Sequence, residues 1–151
     1  MNNQKETTGG KTIPAVPYLR LPDSGEPYLI GSKCRNCGEV YLGKKAVCLK
    51  CYQRDEMDEI ALSRAGKIHT FTIVHQSAPW VKVPYIAAVV RLPEGPVVPA
   101  TLVDCEPSAA TLRVGMPVEM VTEKVKKDKS GNEIVAYKFR PVQSKPREEK
   151  Q

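Results

Sequence analysis

The stretch GSKCRNCGEVYLGKKAVCLKCY, residues 31–52, sets how the rest of the chain is read. It holds two C-x2-C pairs, Cys34 with Cys37 and Cys48 with Cys51, separated by ten residues. Each pair can form a tight knuckle with both sulfurs aimed at one ion, and four thiolates complete the tetrahedral shell that zinc accepts. Gly38 follows the first pair, where such a turn needs a positive φ. Four thiolates around a divalent ion carry a net charge of about −2, so neighbouring cations help keep the sulfurs ionised. Lys33, Arg35, Lys44, Lys45 and Lys50 lie within or beside the knuckles. A shell of four protein ligands leaves no position for water or substrate, so the spacing predicts one structural zinc ion rather than a catalytic one.

Upstream, residues 1–30 are rich in Pro, Gly and polar side chains. Pro14, Pro17, Pro22 and Pro27 forbid a long helix, which predicts an arm, disordered at first and extended from about Ile13. Such an arm has no core of its own and, if ordered, should lie on a neighbouring surface. Downstream, residues 55–65 are ambiguous, and Gly66 marks the change to strands. IHTFTIVH (68–75) alternates with a period of two that places His69, Phe71, Ile73 and His75 on one face.

Four further strands follow: YIAAVVRL, VVPATLVDC, GMPVEMVTEKV and EIVAYKFRPV. Pro99 marks the third strand of the series as an edge or a bulge. Five short strands at even spacing predict a small antiparallel barrel, best matched in size by an OB fold, with an SH3-like barrel or an open sheet as alternatives. The expected organisation is an arm at 1–30, a zinc ribbon at 31–60, a barrel at 61–142 and a charged tail at 143–151.

The chain of 151 residues has a formal charge of +6, which a tetrathiolate zinc lowers to about +4. Residues 111–140 hold seven basic residues against four acidic, while residues 1–110 hold thirteen against eleven, so the excess is local. It centres on Lys124, Lys126, Lys127 and Lys129 beside Asp128, Ser130 and Gly131, the pattern of a solvated hairpin tip. Nucleic-acid binding is the rival function, since zinc ribbons and OB barrels both serve it, but it calls for a basic stripe with stacking aromatics. The second strand is instead nearly all aliphatic, from Ile86 to Val90.

The first dozen residues are polar and lack the apolar run of a secretory leader, and no apolar run approaches membrane-spanning length. Cytoplasmic location is therefore expected, where paired cysteines stay reduced and bind metal. Cys105, in LVDC, reads as an apolar filler. His69 and His75 read as packed or hydrogen-bonded rather than as acid/base groups. No phosphate-binding Gly-rich loop or nucleophile elbow is visible.

The order of motifs is more specific than any one of them. A pair of zinc knuckles, then Gly66 opening KIHTFTIVH, then Pro84 and Tyr85 before an apolar strand, then LVDCEP and VGMPVE, resembles the zinc-ribbon plus OB-fold family of acyl-CoA-associated proteins. The resemblance spans about residues 31–141. It implies a mainly β fold, with an N-terminal rubredoxin-like zinc ribbon followed by a five-stranded OB-fold barrel.

It also implies a non-catalytic small subunit in a hetero-oligomer with a thiolase-fold catalytic subunit, which carries the catalytic Cys and His. Of the family's functional residues, the zinc ligands transfer onto Cys34, Cys37, Cys48 and Cys51. Family members often begin with an amphipathic helix, where this chain has its Pro-rich arm. CoA or acyl-CoA would then lie at the interface with the partner. The loop 76–84 offers Trp80 and Lys82 as an aromatic face and a cation for it, although Trp80 could equally cap the barrel core or meet the partner. No residue specifies the acyl group.

Overall fold

A computed structural model describes residues 10–142. The charged tail at 143–151 and the start of the arm lie outside the described residues. Within them the regular elements are ten strands. The arm supplies β1 (Thr12–Pro14) and β2 (Leu19–Arg20), and the cysteine module β3 (Tyr28–Cys34), β4 (Val40–Leu42) and β5 (Met57–Ala61). The barrel is built from β6 (Ala65–Val74), β7 (Tyr85–Arg91), β8 (Val97–Leu102), β9 (Pro117–Lys127) and β10 (Glu133–Pro141).

The five barrel strands close in the order β6-β7-β8-β10-β9 and back to β6, with β8 and β10 parallel and the other pairs antiparallel. This is the ring of an OB fold, and it excludes the open sheet. Alternation along the strands fills it: Ile86, Ala88 and Val90 from β7, Val98 and Leu102 from β8, Val118 and Met120 from β9 and Phe139 from β10 are all buried. Pro99 sits on β8 opposite Val89, and the only residues of β8 and β10 in register are Leu102 and Phe139. The side of Pro99 that has no N–H to donate therefore faces a gap in the ladder, as its position required. The Tyr137 hydroxyl crosses the gap and donates to the Pro99 carbonyl at 2.5 Å.

The period of two in β6 is broken by a bulge between Ile68 and Thr70. Phe71 and Ile73 then pair with the inward residues Ala88 and Ile86. The shared face expected for His69, Phe71, Ile73 and His75 does not form: His69 is exposed at the bulge, and His75 is exposed beyond the end of the strand.

The ordered arm does lie on its neighbours. β1 runs parallel to β10, Thr12 opposite Glu133, and β2 pairs with β3, Leu19 opposite Leu29. The rings of Tyr18 and Tyr137 are 5.9 Å apart. β5 arises from the stretch whose sequence was ambiguous and pairs along β3, with Ile30 opposite Ala61 and Cys34 opposite Met57. Leu19, Leu29 and Leu62 join one continuous core with the barrel residues, so arm, cysteine module and barrel share their buried apolar surface.

Candidate metal centre

The first knuckle leaves the end of β3 and the second lies in the loop between β4 and β5. They are built alike: the Gly38 N–H donates to the Cys34 carbonyl and the Tyr52 N–H to the Cys48 carbonyl, both at 2.9 Å. The residue closing each turn is left-handed, Gly38 at φ 79° and Tyr52 at φ 60°. The first was expected. The second takes the equivalent place after C-x2-C, in a conformation a Tyr rarely adopts.

The four cysteine Sγ atoms lie within 4.8 Å of one another. Cys34 and Cys51 are 3.6 Å apart and Cys37 and Cys48 3.5 Å, too far for a disulfide at about 2.0 Å. They match the edges of about 3.8 Å expected for sulfurs held at ~2.3 Å by one tetrahedral ion. Cys34 and Cys48 are buried and Cys37 is exposed.

The acidities of the group also suit a cation. The Cys48 thiol is drawn down to about 6, first by the Tyr41 hydroxyl, 3.5 Å away, and then by the Cys51 backbone N–H. At Cys37 the Glu39 backbone N–H pulls downward, but desolvation and the three neighbouring sulfurs outweigh it and leave that thiol at about 12. Four sulfurs this close cannot all be thiolates unless positive charge sits among them. The residues therefore fit one metal ion.

The flanking cations are partly committed elsewhere. Arg35 donates to the Asp55 carbonyl at 2.8 Å and pairs with Glu56 and Asp58, and Lys50 pairs with Glu39 at 3.1 Å. Lys50 is held protonated chiefly by Glu39, with smaller help from Cys37 and Cys48. Buried Ser32 shapes the loop between the knuckles, donating to the Gly43 carbonyl at 2.7 Å and accepting from the Lys45 N–H at 2.9 Å. Neither Ser32 nor Tyr41 stood out in the sequence, since their roles depend on the pairing of β3 with β4.

Residues 25–58 match the ChsH2 rubredoxin-like zinc ribbon domain, and residues 59–123 the ChsH2 C-terminal OB-fold domain. A DUF35 domain-containing scaffold protein of Methanocaldococcus jannaschii is 37% identical over 77% of this chain and 83% of its own length. The chain belongs to the ChsH2 (DUF35) family. Another relative, the benzoylsuccinyl-CoA thiolase subunit BbsA of Geobacter metallireducens, is 33% identical over 82% of each chain. The same fold appears in the solved structure titled Ltp2-ChsH2(DUF35) aldolase, with a TM-score of 0.59 and 23% identity over 76% of this chain and 84% of that one.

Like its family, the chain pairs a zinc ribbon with an OB fold, and its remaining candidates fall on the barrel. Trp80 is 86% exposed in the loop between β6 and β7, beside exposed Lys82 and the partly exposed Val81 and Val83. Trp80 therefore does not cap the core. Cys105 is half-buried against the core, where burial and Asp104 push its thiol up. Among the described residues no hydrogen bond joins it to His69 or His75, so no Cys–His pair is assembled.

The outer face of β6, β7 and β8 carries a groove of about 660 Å3 lined by Thr70, Thr72, Tyr85, Ala87, Pro99 and Thr101. Phe71 and Tyr137 also line it, but no Lys or Arg does, so it lacks the basic stripe of a nucleic-acid platform. The lysines at 124–129 lie on the β9–β10 hairpin, as read from the sequence, with Lys124 paired to Glu133 at 2.6 Å. Among the described residues no helix is long and apolar enough to cross a membrane.

Proposed function

We propose that this chain is the non-catalytic, zinc-holding small subunit of a thiolase-type acyl-CoA acyltransferase complex, which forms or cleaves a C–C bond with CoA. The observation that carries the reading is its similarity to the Geobacter thiolase subunit along 82% of both chains. CoA-dependent cleavage of benzoylsuccinyl-CoA, in anaerobic toluene breakdown, is the specific reaction proposed.

The chemistry of the chain agrees with a supporting role. Four sulfurs around one zinc leave no open coordination position, so the metal braces the ribbon rather than activating water. The Cys105 thiol is shifted away from the thiolate that a nucleophile requires. The catalytic Cys and His would belong to a thiolase-fold partner in a cytoplasmic hetero-oligomer. In this arrangement the exposed loop of Trp80 and Lys82 offers an apolar face and a cation to CoA, or to the partner, at the shared interface.

Expression with the chromosomal neighbours and recovery through an affinity tag on this chain test the proposal. A thiolase-like protein should co-purify, with about one zinc per small chain, and the complex, unlike either protein alone, should turn over an acyl-CoA. Recovery of the chain alone or with nucleic acid would sink the thiolase reading. Unchanged CoA affinity of the complex after Lys82→Ala would remove the proposed CoA contact.

A further inference from the structure

Lys67 on β6 and Arg91 on β7 are register partners in the barrel ladder, and both are exposed. Like charges directly opposite each other on a sheet oppose folding. Acidic neighbours normally relieve such a pair, but among the described residues neither cation takes part in an ion pair. On the adjoining strand Glu119 holds Arg140 at 2.8 Å, and in the adjoining turn Glu94 Oε1 accepts from the Ser63 N–H and hydroxyl at 2.7 and 2.6 Å, while Glu94 Oε2 is buried without a partner; neither carboxylate pairs with Lys67 or Arg91 among the described residues.

The bulge in β6 turns a third group toward them. Arg91 Nη2 lies 3.4 Å from His69 Nδ1, and an Nδ1 that accepts leaves the His69 proton on Nε2 as a further donor. The contact also restrains the guanidinium, whose other N–H groups have no partner among the described residues. Lys67 and Arg91 line a cleft of about 580 Å3 whose other walls are mostly apolar, including Leu92, Pro93 and Pro117.

We propose that Lys67, Arg91 and His69 form a binding site for a phosphate group carried on an apolar body, such as a phosphorylated nucleoside. The two cations meet the phosphate, His69 Nε2–H adds a donor, and the apolar walls receive the attached body. A continuous nucleic-acid strand fits less well, because the cross-strand row through the pair ends in Pro117 on one side and Val97 on the other. The site is built from this chain's own residues, and where its phosphorylated nucleoside is the nucleotide end of CoA the inference rests on the acyl-CoA reading above.

The test is an NMR titration of the metal-loaded full chain at constant ionic strength, with inorganic phosphate in one arm and adenosine 3′,5′-bisphosphate in the other. Saturable shifts are expected at the amides of 66–69, Arg91, Leu92, Glu94 and Gly95, with the bisphosphate saturating first. Lys67→Glu and Arg91→Glu should each weaken it by about tenfold or more, as loss of a charge-assisted hydrogen bond implies. Lys129→Glu on the distant hairpin should leave it unchanged. Equal weakening by Lys129→Glu, shifts that never saturate, or tighter binding of a mixed-sequence oligonucleotide than of the bisphosphate would overturn the proposal. So would loss of a co-purifying protein in the Lys67 and Arg91 variants without any phosphate-dependent shift, which would mark an acidic protein surface as the occupant.

Discussion

Tyr41 shows how one side chain outside the metal shell can govern it. Its hydroxyl donates to Cys48 Sγ, and that thiolate in turn pushes the Tyr41 phenol up to about 12. Tyr41→Phe keeps the ring and removes the donor. The variant should bind metal roughly tenfold more weakly, in line with losses seen for other hydrogen-bonded outer partners, as read by competition with a chromophoric chelator. An unchanged affinity would mean that the contact is incidental. The four ligands were legible because C-x2-C is a local geometric code. Tyr41 was not, because its hydroxyl reaches Cys48 only once β4 has paired with β3.

The strands of the cysteine module impose tolerances of their own. Gly31 lies where β3 meets both β4 and the first residues after β5: an added Cβ would come within 2.7 Å of the Tyr41 carbonyl oxygen and 2.8 Å of Leu62 Cδ2. Gly31→Ala should therefore cost about 1–3 kcal/mol, the usual range for overpacking a filled site, measured by denaturant unfolding. In the β9–β10 hairpin the turn is held by Asp128, whose carboxylate accepts from the Asn132 side chain and from the Ser130 and Asn132 N–H groups, all at 2.8 Å.

Those bonds, the Asn132 side chain first, hold the Asp128 carboxyl below its ordinary 3.8. A depressed carboxylate stabilises the fold above that ordinary value, and the contribution is lost as pH falls through the folded one. Asp128→Asn should lower the thermal midpoint at pH 7, and the difference should close under strongly acidic conditions. A gap of the same size at low pH would count against the ionised Asp128 as its source. This hairpin was readable in sequence because its turn residues are consecutive. β5 was not: MDEIA carries exposed acidic residues, and Asp58 and Glu59 find their cations, Arg35 and Arg20, only across the fold.

Across the molecule, the cysteine module and the barrel share a core but close by different means. The barrel ring is closed by its own strand pairings, sparse only between β8 and β10, whereas the knuckles hang on a metal whose binding in small zinc domains contributes on the order of 10–16 kcal/mol to folding. Removing the metal with a chelator should abolish hydrogen-exchange protection around Gly38 and Tyr52. The amides of β7 should stay protected, with a lowered melting temperature because Leu29 and Leu62 no longer pack as firmly. Simultaneous loss of protection in β7 would show that the whole molecule unfolds as one unit.

The sequence alone determined the four metal ligands, the strand-rich barrel and its family, because these rest on short-range spacing and on the alternation of apolar residues. Three features were decided only in the tertiary structure. The bulge separates His69 from Phe71, the arm completes the core with Leu19, and Trp80 stands out from the barrel rather than plugging it. Each depends on which distant strand supplies the neighbour, and a period of two along one strand says which residues share a face but not what that face will meet.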